Sequence, residues 1–207
     1  FQIQLFGVIS MDNTETFSIM IVGVGGQGSL LASRIIGDVF LAQGLDVKVS
    51  EVHGMSQRGG SVVTYVRFGK NVASPVVSEG EADIILSFEQ LEAARWLPNL
   101  KPGGKIITAT QRINPMPVIA GTASYPDDIV GRLKEKGISV LDVDAAALAE
   151  RAGNTRTANV VLIGVLSKLF DFDRQVWLDA LRRNVPPRYI DANIAAFELG
   201  EAEATAN

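Results

Sequence analysis

The residues best equipped for chemistry sit in one short stretch, Glu51-Val-His-Gly-Met-Ser-Gln-Arg-Gly-Gly60. It holds the single histidine of the 207-residue chain, an arginine and three glycines. Ser56, Gln57 and Arg58 place hydroxyl, amide and guanidinium donors side by side, a set suited to a carboxylate, a phosphate or a partner's backbone. Gly59 and Gly60 free the backbone to turn, and Met55 offers an apolar contact. His53 alone also fits a bland role at a strand end, and Arg58 alone a solvated or paired one. Taken as a unit, His53, Gly54, Met55, Ser56, Gln57, Arg58 and Gly59 form a candidate contact loop.

A second loop, Gly23-Val-Gly-Gly-Gln-Gly28, satisfies G-x-G-x-x-G between an apolar run and a helical pattern. Its candidates are Gly23, Gly25, Gly26, Gln27 and Gly28. Such glycines permit a tight turn and let backbone N–H groups approach a phosphate at a helix N-terminus. Glu51 lies where a ribose-binding carboxylate is expected, so an NAD-binding Rossmann reading is open. Against it, the histidine loop follows Glu51 at once and crowds that rim. Gln27 also replaces the small or apolar residue of most dinucleotide loops, and its amide can donate and accept toward a bound group.

No nucleophile elbow accompanies the histidine. Asp127-Asp128 and Asp142/Asp144 read as helix-start charges and strand-end polar groups, not as a catalytic pair. The residues therefore describe a binding or covering subunit, not a complete enzyme.

Both loops need a scaffold that presents them together. Strands are predicted over 17–24, 45–52, 61–68, 82–87, 105–109 and 138–143, from β-branched or continuous apolar runs. Helices are predicted over 29–43, 90–97, 126–136, 145–152, 157–170, 174–184 and 189–200. Lys101-Pro-Gly-Gly104 reads as a turn and Asn114-Pro-Met-Pro117 as extended. The 157–170 segment is apolar nearly all round and is expected to be central in the packing. The alternation predicts an α/β fold of Rossmann-like type: a mainly parallel sheet, helices on both faces, and added C-terminal helices. The expected organisation is an N-terminal extension over 1–15, one domain over 16–200 and a frayed tail over 201–207. Met11 is expected to be the native start, and the first ten residues make a poor signal peptide.

Composition narrows the classes. Net charge is −4, which gives no field favouring nucleic acid or an anionic membrane. No apolar run approaches the ~20 residues of a membrane helix, so the cytoplasm is the expected location. There is no cysteine, so disulfides, thiolate catalysis and thiolate-held iron–sulfur clusters are excluded within this chain. No metal site is predicted.

Two runs, Ile21–Gly28 and Val49–Val63, carry a family likeness, supported by Gly80-Glu-Ala-Asp83, Leu100–Gly104, Gly153-Asn154 and Asn159–Gly164. From about Thr16 to Gly200 the chain resembles the γ-type domain of the 2-oxoacid:ferredoxin oxidoreductases, most narrowly the small-subunit branch that acts on indolepyruvate. The resemblance implies that a large partner subunit binds thiamine diphosphate and carries 4Fe-4S clusters. It also implies that an arylpyruvate is decarboxylated there, that ferredoxin takes the electrons and that CoA takes the acyl group. This chain would bind none of these cofactors alone and would be inactive in isolation. It would pack over the partner and help form the CoA-side entrance, with the two glycine loops facing the partner's site. An NAD-dependent dehydrogenase and a non-catalytic binding module remain the alternatives.

Overall fold

A computed structural model describes residues 16–52 and 60–206. The expected start at Met11 and the candidates His53, Gly54, Met55, Ser56, Gln57, Arg58 and Gly59 lie outside the described residues.

Among the described residues six strands form one sheet in the order β2-β3-β1-β4-β5-β6. They are β1 (Phe17–Val24), β2 (Asp46–Val52), β3 (Ser61–Gly69), β4 (Ala82–Ser87), β5 (Leu100–Ala109) and β6 (Ser139–Val143). β1, β4, β5 and β6 run parallel, as the strand–helix alternation predicts. β3 is antiparallel to β1, and β2 to β3, so β2 and β3 are the two arms of a hairpin. β1 and β4 are near-continuous apolar runs because both of their faces are covered. β2 is an edge strand and leaves Lys48, Val49 and Val52 exposed.

Among the described residues eight α-helices accompany the sheet: α1 (Ser29–Ala42), α2 (Gln90–Arg95), α3 (Met116–Ile119), α4 (Ile129–Glu135), α5 (Ala145–Arg151), α6 (Ala158–Ser167), α7 (Arg174–Asn184) and α8 (Ile190–Ala206). One face carries α1, α5, α6, α7 and α8 over a core that includes Ile19, Ile21, Phe68 and Leu86. The other carries α2 and α4 over Met20, Val22, Ile85 and Ile106. Every residue of α6 from Asn159 to Ser167 is buried, which accounts for its all-round apolar pattern. α6 meets α8 at Gly164 and Gly200, where a Cβ on Gly200 would overlap the Val161 carbonyl and one on Gly164 the Phe197 carbonyl.

Five local expectations are corrected. Lys101–Gly104 is not a separate turn. The pairing steps from Ala82–Leu100 to Ile84–Lys105, so these four residues lie within β5 as an irregularity. Residues 114–117 are not wholly extended, because α3 starts at Met116 with Pro117 in its first turn, where no N–H is needed. The 126–136 helix begins only at Ile129. Asp128 takes a left-handed conformation (φ 46°) and its side chain accepts from the Gly131 N–H, capping the helix. The 157–170 helix is shorter, with a 3-10 turn over Thr155–Thr157 and α6 ending at Ser167. The described residues after Gly200 are helical: α8 continues to Ala206, with Ala204 buried and Arg174 bonded to Glu198 and Glu201 at 2.7 and 2.8 Å.

Candidate functional site

β1 delivers the glycine loop to the C-terminal edge of the parallel strands. Gly28 stands at the N-cap of α1 in a left-handed conformation (φ 87°), which a β-carbon strains. No side chain caps α1, and its first turn has no acidic residue. The loop therefore presents the positive end of a 14-residue helix without internal compensation. Gly25 donates its N–H to the Gly60 carbonyl at 2.9 Å. The two loops singled out in the sequence are thus joined at the base of the second.

Gln27 lines the cleft beside this loop, but its amide is taken up within the protein. Its Oε1 accepts from the Val24 N–H at 2.7 Å, and its Nε2 donates to Phe88 O at 2.9 Å and Gln111 Oε1 at 3.1 Å. The expectation that this amide reaches toward a ligand is replaced by a bracing role between the ends of β1, β4 and β5. Gly23 is needed for space, since a Cβ there would lie 2.8 Å from Gln27 Oε1. Gly28 is restricted in the same way by Asn159 Nδ2, 2.5 Å from a built Cβ. That same Nδ2 donates to Gly28 O at 3.2 Å, while Asn159 Oδ1 accepts from the Val160 N–H.

The dinucleotide placement of Glu51 fails on topology. A dinucleotide fold sets its second strand directly beside the first, in parallel. Here antiparallel β3 intervenes, and β2 with Glu51 lies two strands away from β1. Ser33 of α1 donates to Glu51 Oε1 at 3.4 Å.

A cleft of about 550 Å³ opens between the glycine loop, the end of β5 and the start of α6. Gly26, Gly28, Gln111, Thr155, Arg156 and Asn159 line it, and among the described residues Arg156 is its only charged lining residue. Asn154 accepts from the Arg156 N–H at 3.1 Å and so shapes the turn that carries the arginine. A smaller hollow of about 280 Å³ lies on the hairpin side of the loop, between Gly25, Ser29, Val52 and Thr64. Sequence reasoning missed Gln111, Thr155 and Arg156 as site residues. Asn159 had a signal, as the lone amide opening the apolar run of α6.

Two of the other motifs, Gly80–Asp83 and Leu100–Gly104, serve the opposite edge. Asp83 accepts from the Ser18 N–H at 2.7 Å and pairs with Lys101, which ties the starts of β1, β4 and β5. Near the site, burial and then the Glu89 carboxylate push the Tyr125 phenol far above its usual range, so it stays a hydrogen-bond donor throughout the neutral range. Among the described residues no group of three or more His, Asp or Glu side chains is arranged to hold a metal. No described helix is long and apolar enough to cross a membrane.

Comparison with known proteins adds three likenesses and one family match. Residues 18–203 match the model of the pyruvate ferredoxin/flavodoxin oxidoreductase family. The indolepyruvate oxidoreductase subunit IorB of Thermococcus kodakarensis is 47% identical over 191 residues, 90% of this chain and 95% of that one. The gamma subunit of a keto/oxoacid ferredoxin oxidoreductase from Geobacter sulfurreducens superposes with a TM-score of 0.68 at 21% identity, over 92% of this chain and 99% of that one. A 2-oxoglutarate:ferredoxin oxidoreductase from Magnetococcus marinus, solved with 2-oxoglutarate, coenzyme A and succinyl-CoA bound, gives a TM-score of 0.72 at 20% identity, over 94% of this chain but 32% of that one. At those identities the two structures speak for the fold.

Proposed function

This chain belongs to the pyruvate ferredoxin/flavodoxin oxidoreductase family, and from that premise we propose that it is the small subunit of an enzyme that converts an arylpyruvate, indolepyruvate above all, to the aryl-acetyl-CoA with ferredoxin as electron acceptor. It completes the active assembly and forms the CoA-side entrance. The observation that supports this most is the cleft at the C-terminal edge, which gathers an uncapped helix end, the glycine loop and Arg156 in a protein whose net charge is −4. Among the described residues the lining holds one cation and no carboxylate, a donor set that suits a phosphate-bearing ligand.

Thiolate-held clusters do not fit this chain, which has no cysteine, so they belong with thiamine diphosphate on a large partner subunit. Bound there, thiamine diphosphate supplies the electron sink for decarboxylation and the clusters supply the one-electron path outward. The contributions of this chain are binding and orientation. Gly25, Gly26 and Gly28 bring bare backbone close to the ligand, and Arg156 attracts its anionic groups. Gly23 and Gln27 hold the loop from behind. The residues His53 to Gly59 are assigned to contact with the partner, with Arg58 as a second anion contact and His53 as a positioning group.

Reconstitution tests the reading. Mixed with the large subunit, the chain is expected to confer arylpyruvate- and CoA-dependent reduction of a one-electron dye, and Arg58→Ala is expected to raise the apparent KM for CoA or weaken association. Failure of the wild-type chain to stimulate turnover would contradict the proposal.

A further inference from the structure

The N-terminus of α2 carries two carboxylates that the proposed reaction leaves without a role, Glu89 at its N-cap and Glu92 in its first turn, at 1% and 4% exposure. Each grips a different segment flanking the glycine loop. Glu89 Oε1 accepts from the Ile113 N–H at 3.1 Å and from the Tyr125 hydroxyl, and its Oε2 accepts from the Glu92 N–H at 3.0 Å. This fastens both ends of the 110–125 strap, whose first residues are also tied by Gln90 to Thr110 O and Gln111 O at 2.8 and 3.2 Å. Gln111, so placed, accepts from Gln27 of the glycine loop.

Glu92 acts on the other side. Its Oε2 accepts from the Ser61 hydroxyl, and its Oε1 from Arg95 Nε at 3.1 Å. Ser61 follows Gly60, whose carbonyl receives the Gly25 N–H. Two chains of contacts, one through the strap and one through the end of the hairpin, therefore start at the N-terminus of α2 and finish on the glycine loop from opposite sides. That N-terminus is fixed to β1 by the Phe88 N–H on Val22 O at 2.9 Å.

A buried carboxylate is costly unless several donors satisfy it, so its placement dictates where those donors must be. An amide cannot replace it, because one of its two ends is a donor that would face another donor. We propose that Glu89 and Glu92 are positioning residues for the cleft, holding the strap and the hairpin end so that the glycine loop keeps its ligand-binding shape. This rests on the reading of the cleft as the CoA side.

Ser61→Ala and Tyr125→Phe probe the two arms by removing one hydroxyl each, with Glu92→Gln and Glu89→Gln as the stronger pair. Amide hydrogen exchange in the full chain reads the shape without any reaction. Ser61→Ala is expected to speed exchange at Gly25 by about tenfold, and Tyr125→Phe to speed it at Ile113 by a similar factor. In the reconstituted complex, the apparent KM for CoA is expected to rise about fivefold in each, with kcat and the arylpyruvate KM held within about twofold. Wild-type exchange in both hydroxyl variants would overturn the proposal. So would faster exchange accompanied by an unchanged CoA KM, which would make the carboxylates purely structural. A wild-type complex that turns over without CoA would sink the functional reading instead, and the exchange rates would still decide whether the carboxylates hold the loop.

Discussion

Glycine governs two regions of this molecule for opposite reasons. At the α6–α8 crossing, Gly164 and Gly200 lie in regular helices and are needed for space, since a β-carbon on either overlaps the other helix's backbone. In the loop after β1, Gly26 has nothing within 4 Å of a built Cβ and is needed for its positive φ of 102° alone. Gly28 stands between the two, with a φ of 87° and Asn159 Nδ2 in the way. The first region is backbone packing deep in an apolar core. The second is a partly exposed turn that lines the cleft proposed to take a ligand. The same residue type thus marks structure in one place and a site in the other, and only the surroundings separate them.

That contrast can be broken by substitution. Gly200→Ala is expected to have the largest effect, a loss of about 3 kcal/mol in a urea titration, because overpacking against a fixed helix backbone cannot be relieved by a side-chain rotation. A loss under half that would mean the helices separate easily. Gly28→Ala is next, at about 2 kcal/mol, from left-handed strain plus the Asn159 contact. It should also raise the CoA KM, and adding Asn159→Ala should recover part of the stability. Gly26→Ala should cost about 1 kcal/mol, from strain alone. If it costs as much as Gly28→Ala, crowding is not what distinguishes the two.

The smallest expected effect lies far from both regions. The Val72 N–H, then Lys48, hold the Asp46 carboxyl below its ordinary value of 3.8. A carboxyl whose folded pKa is depressed adds stability above the unfolded value, and that stability is lost as pH falls through the folded value. The urea midpoints of wild type and Asp46→Asn should therefore differ slightly at neutral pH and converge on acidification below 3.8. A difference that persists in acid would assign the effect to the hydrogen bond alone.

Local pattern made much of the scaffold legible. β1, β4 and α6 are buried on all sides, so their apolar runs are long and unbroken, and their bounds were readable to within a few residues. Strand order was not readable, because nothing in the spacing of 46–52 and 61–69 says that β3 pairs with β1 and displaces β2 to the edge. That single pairing removes Glu51 from the ribose position and with it the dinucleotide reading. The α3 and α4 starts were misread because Pro117 and Asp128 act through cap geometry, which tertiary contacts decide. In the site, the glycine loop announced itself by composition. Arg156 and Gln111 carry no local mark, and only the folding of distant segments brings them to one cleft with Gly28. The family likeness rests on residues at both edges of the sheet, and Asp83 with Lys101 belongs to the structural one.

The cleft is proposed to serve the anionic, CoA-bearing side of the reaction. The most direct test is a CoA titration of the reconstituted complex at saturating arylpyruvate, comparing wild type with Arg156→Ala. Arg156 is exposed, so the fold should be unaffected to within about 0.5 kcal/mol. In the variant the CoA KM is expected to rise about tenfold, the worth of one charge-assisted contact, with the arylpyruvate KM unchanged. An unchanged CoA KM in a folded, associated variant would contradict that role for the cleft.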